Sequence, residues 1–345
     1  MVQPSDAGFG VMLPSFDPFR RGSTPVVDGA VLAEELGFDS GWVGDHLSFH
    51  PPLLDALTAL TAAAVRTERL VLGTGVLLLP MRNAVWTAKQ IASIDALAPG
   101  RLLFGVGVGG ENPAEFEAAG VSTAKRGARL DEGLDIVTAL LRGEAVDHPG
   151  PLLPTRSPVL EPVPATPPPL VVGGRSEAAL RRAARRGDGW LGVWMSAGRV
   201  ATVRAQLDGY ATGYGRPSPT PLLMVFVHVT DGPSGLETGR AELTGFVAGQ
   251  YGLPVERLER WALVGDPGHV AKGLDELVEA GVEGFVLMPA ASDPLEQYRR
   301  LARVRERMTN PLRPGSDPRT GVEHMSQAHA AGEARRLPRE RGSGS

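Results

Sequence analysis

The chain contains no cysteine among its 345 residues. This excludes disulfides, thiolate metal sites and a cysteine nucleophile, and it fits a reducing cytoplasm. The opening Met1-Val2-Gln3-Pro4-Ser5-Asp6 lacks the basic and apolar regions of a signal peptide, so a cytoplasmic location is expected. Long hydrophobic runs are missing too. The longest, Leu70 to Pro80, reaches about half of the roughly 20 residues a membrane helix needs. The seven histidines are scattered without ligand spacing, so no metal site is readable. There is no Walker phosphate-binding sequence, and no paired acids or lysine at a strand end that would suit a hydrolase or aldolase. A net charge of -4 gives no reason to expect nucleic acid as a partner.

What the chain does have is a regular alternation of short apolar runs with helix-like stretches. Candidate strands are Gly8 to Leu13, Phe38 to Gly44, Leu70 to Leu79, Arg101 to Gly110, Leu170 to Val172, Gly189 to Trp194, Leu222 to Val229 and Gly284 to Met288. Helix-like segments lie between them, several stopping at glycines such as Gly37 and Gly281. Apolar runs without polar alternation suit strands buried on both faces, hence a parallel sheet under helices. Eight such units in a chain of this length predict the α/β class, a (β/α)8 TIM barrel over residues 1–308. Nine prolines between Pro149 and Pro169 forbid a helix there, and residues 146–169 read as an insertion crossing the mouth of the barrel. Residues 309–345 carry almost no large apolar side chains and are expected to be disordered.

The glycines at the third and fourth strand ends carry the functional signal. Gly75 interrupts a run of Val and Leu, and Gly105, Gly107, Gly109 and Gly110 do the same one strand later. Glycine inside a strand marks a bulge or a close approach by a ligand or another backbone. Bared main chain at the carboxyl ends of adjacent parallel strands describes a floor and wall for a flat ligand.

Here the sequence resembles a known family. Gly73-Thr74-Gly75-Val76-Leu77-Leu78-Leu79-Pro80-Met81-Arg82-Asn83, then Ala88-Lys89-Gln90-Ile91-Ala92-Ser93-Ile94-Asp95 and Gly100 to Gly110, are similar to the luciferase-like flavin- and deazaflavin-dependent oxidoreductases, from about Phe9 to about Met308. The resemblance implies a soluble enzyme, often a homodimer, that moves a hydride between its cofactor and a small-molecule substrate.

Site residues follow from both readings. Asp45-His46 ends the second strand, and an imidazole there can give or take the proton that accompanies hydride transfer, with the neighbouring Asp45 carboxylate holding its charge. The alternative is a structural Asp-His pair. In the families it resembles, the peptide matching Gly75-Val76, beside Thr74, is cis and presses the central cofactor ring. Gly107, Val108, Gly109, Gly110, Glu111 and Asn112 would border that ring, and Gly173-Gly174-Arg175-Ser176 opens a helix whose free amides suit a cofactor phosphate. Ser176 is equally an N-cap, and Gly107 to Asn112 equally a tight turn. Trp42, Trp190, Trp194 and Met288 fall at strand ends and are candidates for an apolar substrate pocket or for plain core. The arginines at 181, 182, 185 and 186 read as a solvated helix face.

The flavin-using luciferases carry an arginine near the end of the fourth strand where this chain has Val108. With Asp45-His46 and Gly75-Val76, this favours coenzyme F420, a 5-deazaflavin, over FMN. The alternatives are an FMN-dependent monooxygenase and a non-catalytic flavin-binding barrel.

Overall fold

The computed structural model describes residues 2–22, 24–310 and 312. Among the described residues there are eleven strands and ten α-helices. The strands are β1 (Phe9–Met12), β2 (Ser40–Val43), β3 (Val71–Thr74), β4 (Leu102–Val106), β5 (Val146–His148), β6 (Thr155–Ser157), β7 (Leu170–Gly173), β8 (Gly189–Val193), β9 (Thr220–Val229), β10 (Ala262–Gly265) and β11 (Gly284–Pro289). The helices are α1 (Val26–Glu35), α2 (Ala56–Ala64), α3 (Ala84–Leu97), α4 (Pro113–Ala118), α5 (Arg126–Leu141), α6 (Glu177–Arg186), α7 (Ala197–Gly213), α8 (Leu236–Tyr251), α9 (Pro267–Glu279) and α10 (Pro294–Arg305).

Eight strands close into one parallel barrel in the order β1-β2-β3-β4-β7-β8-β9-β11, and β11 returns to β1. The fold is the expected (β/α)8 TIM barrel. β10 adds a ninth parallel strand on the free end of the long β9, a feature the sequence reading missed. Polar residues start the helices: Asp55, Asn83, Asn112, Ser176, Ser196, Asp266 and Asp293 each accept a backbone N–H of the first turn.

The two apolar faces of each strand enter different cores. Val11, Leu102, Phe104, Val172, Phe285 and Leu287 pack outward against the helices. Met12, Trp42, Leu103, Val171, Val286 and Met288 fill the barrel interior. Trp42 stands opposite Gly73 in the β2–β3 register, and a methyl at Gly73 would lie 2.4 Å from the indole. That glycine makes room for a buried side chain rather than for a ligand.

Three expectations are corrected here. Residues 146–169 do not cross the barrel mouth: β5 and β6 form an antiparallel hairpin laid against the outer helices, where Glu132 of α5 accepts from Leu152 and Leu153 N–H and Lys89 of α3 donates to the Glu161 carbonyl. The arginines of α6 are not a uniformly solvated face, because Arg182 and Arg186 pair with Asp131 and Asp135 of α5 and pin the two helices together. Thr309 and Asn310, expected in a disordered tail, donate their backbone N–H groups to Asp275 of α9. Residues 313–345 lie outside the described residues.

Candidate active site

At the carboxyl ends of the barrel strands lies a cavity of about 230 Å³. His46, Gly75, Val76, Gly107, Val108, Gly109, Glu111, Gly173, Gly174, Trp194 and Met288 all line it. The sequence had placed each of these in the site. The Gly75–Val76 peptide is cis.

The glycines divide into two kinds. A methyl on Gly105 would sit 1.8 Å from the Thr74 carbonyl, so this residue lets β3 and β4 approach each other. Methyls on Gly107 and Gly173 would meet the two γ-methyls of Val76 at 2.4 and 2.7 Å, so these glycines form the socket that seats Val76. Gly75 differs: its nearest neighbours to such a methyl are Trp42, Leu191 and Met12 at 3.5–3.6 Å, an ordinary contact distance. Gly109 and Gly174 turn with φ of +59° and +125°, conformations that favour glycine. The outcome is a slot whose floor is the Val76 side chain and the Gly75 main chain.

His46 reaches this slot from the loop after β2. Its ring stacks on Phe49 with centroids 3.9 Å apart, and Phe16 meets it edge-on at 6.4 Å. Nδ1 lies 3.1 Å from both carboxylate oxygens of Glu115, a residue with 0% exposure in the first turn of α4. A carboxylate only accepts, so this pair assigns the ring proton to Nδ1 and leaves Nε2 for the cavity. Nε2 is 3.8 Å from Glu111, whose side chain is 57% exposed. Glu115 also accepts from Leu47 N–H at 3.1 Å, which fixes the loop as well as the ring.

The carboxylate that serves His46 is therefore Glu115, not its sequence neighbour. Asp45 is buried and its oxygens accept from Arg82 at 2.6 and 3.2 Å and from Leu78 N–H at 2.9 Å. Arg82 bridges on to Asp55 at 2.7 Å. Asp45 thus ties the segment that follows Gly75-Val76 to the end of β2. Glu115 was not foreseen because Asn112-Pro113-Ala114-Glu115 reads as a helix start, with an N-cap and an acid at the third position.

Several other expected site residues lie outside this cavity. Trp42 and Trp190 are core rather than pocket wall; their indole N–H groups donate to Ser40 Oγ and to the Gly174 carbonyl, both at 2.8 Å. Thr74 staples β3 to β4 through Gly105, donating at 2.6 Å and accepting at 2.9 Å. Asn112 and Ser176 act as N-caps, and Asn112 also donates to the Ser48 carbonyl at 2.8 Å. Gly110, with φ of +105°, packs against Arg126. None of these residues lines the cavity.

Trp194 is the wall between this slot and a second cavity of about 530 Å³. That second cavity is lined by Arg175, Arg199 and Arg260, with Ser196 at the start of α7. The Arg175 guanidinium lies over the Trp194 ring at 4.9 Å, and Arg260 over Trp261 at 4.1 Å. Three cations and a helix N-terminus make a region built for anions. Trp194 Nε1 is buried without a hydrogen-bond partner among the described residues. Tyr251 lines the slot beside it, its ring meeting Trp194 edge-on at 5.5 Å, and burial together with the nearby Glu111 pushes its phenol well above the usual range. Neither Arg199, Arg260 nor Tyr251 carries a sequence signal, since each sits in an ordinary helix or turn.

The luciferase-like monooxygenase family model matches residues 9–251. The chain belongs to this family. Its relatives include an F420-dependent glucose-6-phosphate dehydrogenase of Beutenbergia cavernae, 32% identical over 301 residues, which span 78% of this chain and 89% of that protein. Among solved structures, an F420-dependent secondary alcohol dehydrogenase in complex with an F420–acetone adduct superposes with a TM-score of 0.76 at 17% identity, covering 90% of this chain and all of that one. A type II Baeyer-Villiger monooxygenase from Pseudomonas putida, in complex with FMN, gives 0.71 at 18% identity, covering 89% of this chain and all of that one. The fold is shared across both cofactor classes. No helix among the described residues is long and apolar enough to cross a membrane.

Proposed function

We propose that this luciferase-like protein is a coenzyme F420-dependent oxidoreductase acting on a small alcohol or carbonyl compound. The observation that carries this reading is His46, held by the buried Glu115 at 3.1 Å on the wall of a slot floored by Gly75 and Val76. The relative named as an F420-dependent dehydrogenase supports the choice of cofactor.

The residues present fit the cofactor. The glycine-walled slot suits a flat ring, and Gly173, Gly174 and the buried Trp194 indole N–H lead from it to the arginine-lined cavity. Arg175, Arg199 and Arg260 would hold an acidic side chain, and three cations exceed what a single phosphate requires. When bound, the deazaflavin supplies a carbon centre that gives or accepts a hydride. The protein supplies the proton: His46 Nε2 delivers it to, or takes it from, the substrate oxygen, and Glu115 holds the ring so that Nε2 points into the slot. Tyr251 lines the same space, and Phe49 packs between it and the His46 ring.

Separate titrations of the purified protein with F420 and FMN, read by cofactor fluorescence, test the assignment. F420 is expected to bind at least about tenfold more tightly, an affinity difference of about 1.4 kcal/mol. Tighter FMN binding with oxygen consumption would make the protein a monooxygenase. Binding without turnover across alcohols and ketones would make it a non-catalytic barrel.

A further inference from the structure

Next to the active-site slot is a third cavity, of about 150 Å³, that the proposed chemistry does not use. Met12, Phe16, Gln250 and Met288 line both spaces and so form the partition between them. Its remaining wall is largely apolar, built from the loop after β1, including Leu13 and Phe19, and from Phe246 of α8. The two charged residues at its edge are already engaged: Asp17 accepts from the Arg21 and Gly22 N–H groups, and Arg21 donates to the Ser292 carbonyl.

Gln250 is the exception in this wall. The residue is 3% exposed, and its side-chain Oε1 is buried with no hydrogen-bond partner among the described residues. A buried amide oxygen left unpaired costs free energy, on the order of 1–3 kcal/mol, and chains retain such groups where something else pairs with them. An apolar cavity of this size accommodates a benzene-sized molecule.

Resting on the oxidoreductase reading above, we propose that this chamber is the substrate-specificity pocket. It takes an apolar arm of the substrate, an aryl ring or a branched chain of about six carbons by volume, while Gln250 at the partition pairs with a hydroxyl or amide group joining that arm to the reacting carbon. The size of the chamber sets the length of the arm, and the lone amide sets where its polar group must stand. The loop that forms most of this wall also covers the barrel mouth beside His46, so the arm and the reacting centre are read by one segment.

The test uses benzyl alcohol and toluene as probes, titrated calorimetrically into the protein with and without saturating F420. Both are expected to bind the wild-type protein, the alcohol more tightly. Ala291→Trp, which fills the chamber from the β11 end, is expected to weaken both by at least about tenfold while F420 affinity stays within about twofold. Gln250→Leu is expected to abolish the preference for the alcohol and keep toluene binding. A wild-type crystal soaked in 4-bromobenzyl alcohol gives a reading independent of any variant: the bromine is expected among Leu13, Phe19 and Phe246.

Absence of probe binding to the wild type would mean a water-filled chamber and would overturn the proposal. So would unchanged binding in folded Ala291→Trp, bromine located elsewhere, or an alcohol preference that survives Gln250→Leu. Loss of the cofactor reading is separable, because the probes are also titrated without F420: failed F420 binding with intact probe binding would remove the proposed function and leave the pocket.

Discussion

Three groups fix the imidazole of His46. Phe49 stacks on one face, Phe16 meets it edge-on and Glu115 takes Nδ1. Substituting Glu115 by Gln keeps the size but replaces a charged two-oxygen acceptor with a neutral amide, so the ring loses the charged partner of Nδ1. Turnover is expected to fall about 10- to 100-fold with little change in KM. His46→Asn is expected to cost at least as much, and Glu115→Asn should not rescue it; steady-state kinetics with F420 check both. The glycines make a second claim at this scale. Gly107→Ala drives a methyl into Val76 and is expected to destabilise by about 1–3 kcal/mol. Gly75→Ala meets only ordinary contacts and is expected to cost less than about 0.5 kcal/mol, as read by urea unfolding. Equal costs at the two positions would show that the division of glycines into packing and slot residues is mistaken.

Between elements, buried or half-buried carboxylates do the fastening. Asp45 joins the end of β2 to the turn after β3 through Leu78 and Arg82. Asp45→Asn leaves Arg82 with Asp55 alone and is expected to destabilise by about 2 kcal/mol, and to weaken cofactor binding through a looser Gly75-Val76 segment. Glu34 of α1 accepts from the Glu68, Arg69 and Leu70 N–H groups that lead into β3. Desolvation by burial raises its pKa, but these three amides together lower it further, and the net position is below the ordinary glutamate range. A depressed native pKa means that the folded state holds this proton less tightly than the unfolded chain. The stabilisation is therefore complete above the unfolded value of about 4.3 and is lost as pH falls through the depressed native value. Glu34→Gln is expected to cost about 1 kcal/mol at pH 7, with the difference from wild type closing toward pH 3; a pH-independent difference would exclude the titration.

At the scale of the whole molecule, one barrel mouth carries three adjoining spaces: an apolar chamber, a glycine-walled slot and an arginine-lined cavity. Arg199→Ala and Arg260→Ala are each expected to weaken F420 binding about three- to tenfold at low salt and less in 0.5 M salt, because exposed charges are screened. FMN affinity is expected to change little. A salt-independent or cofactor-independent loss would place the arginines outside the binding path. Barrel strands alone do not make this arrangement. The loop after β1 and the end of α8 supply the chamber, whereas the proline-rich insertion, which the sequence had assigned to the mouth, serves α3 and α5 instead.

Much of this was legible in the residue order. Eight apolar runs with helices between them determined the (β/α)8 barrel, because a strand apolar on both faces must be covered on both. The same reading placed His46, Gly75-Val76, Gly107 to Gly109 and Gly173-Gly174 at one end, since a parallel barrel collects its strand termini there. Only the tertiary structure decided which of two apolar faces enters the barrel, and so sent Trp42 inward and Trp190 toward the helices. Only it paired His46 with Glu115, 69 residues away, and Asp45 with Arg82, 37 away. Periodicity reports local burial, but a hydrogen-bond partner is chosen by whichever donor or acceptor the closed barrel brings within about 3 Å, and that proximity exists only after the strands have joined.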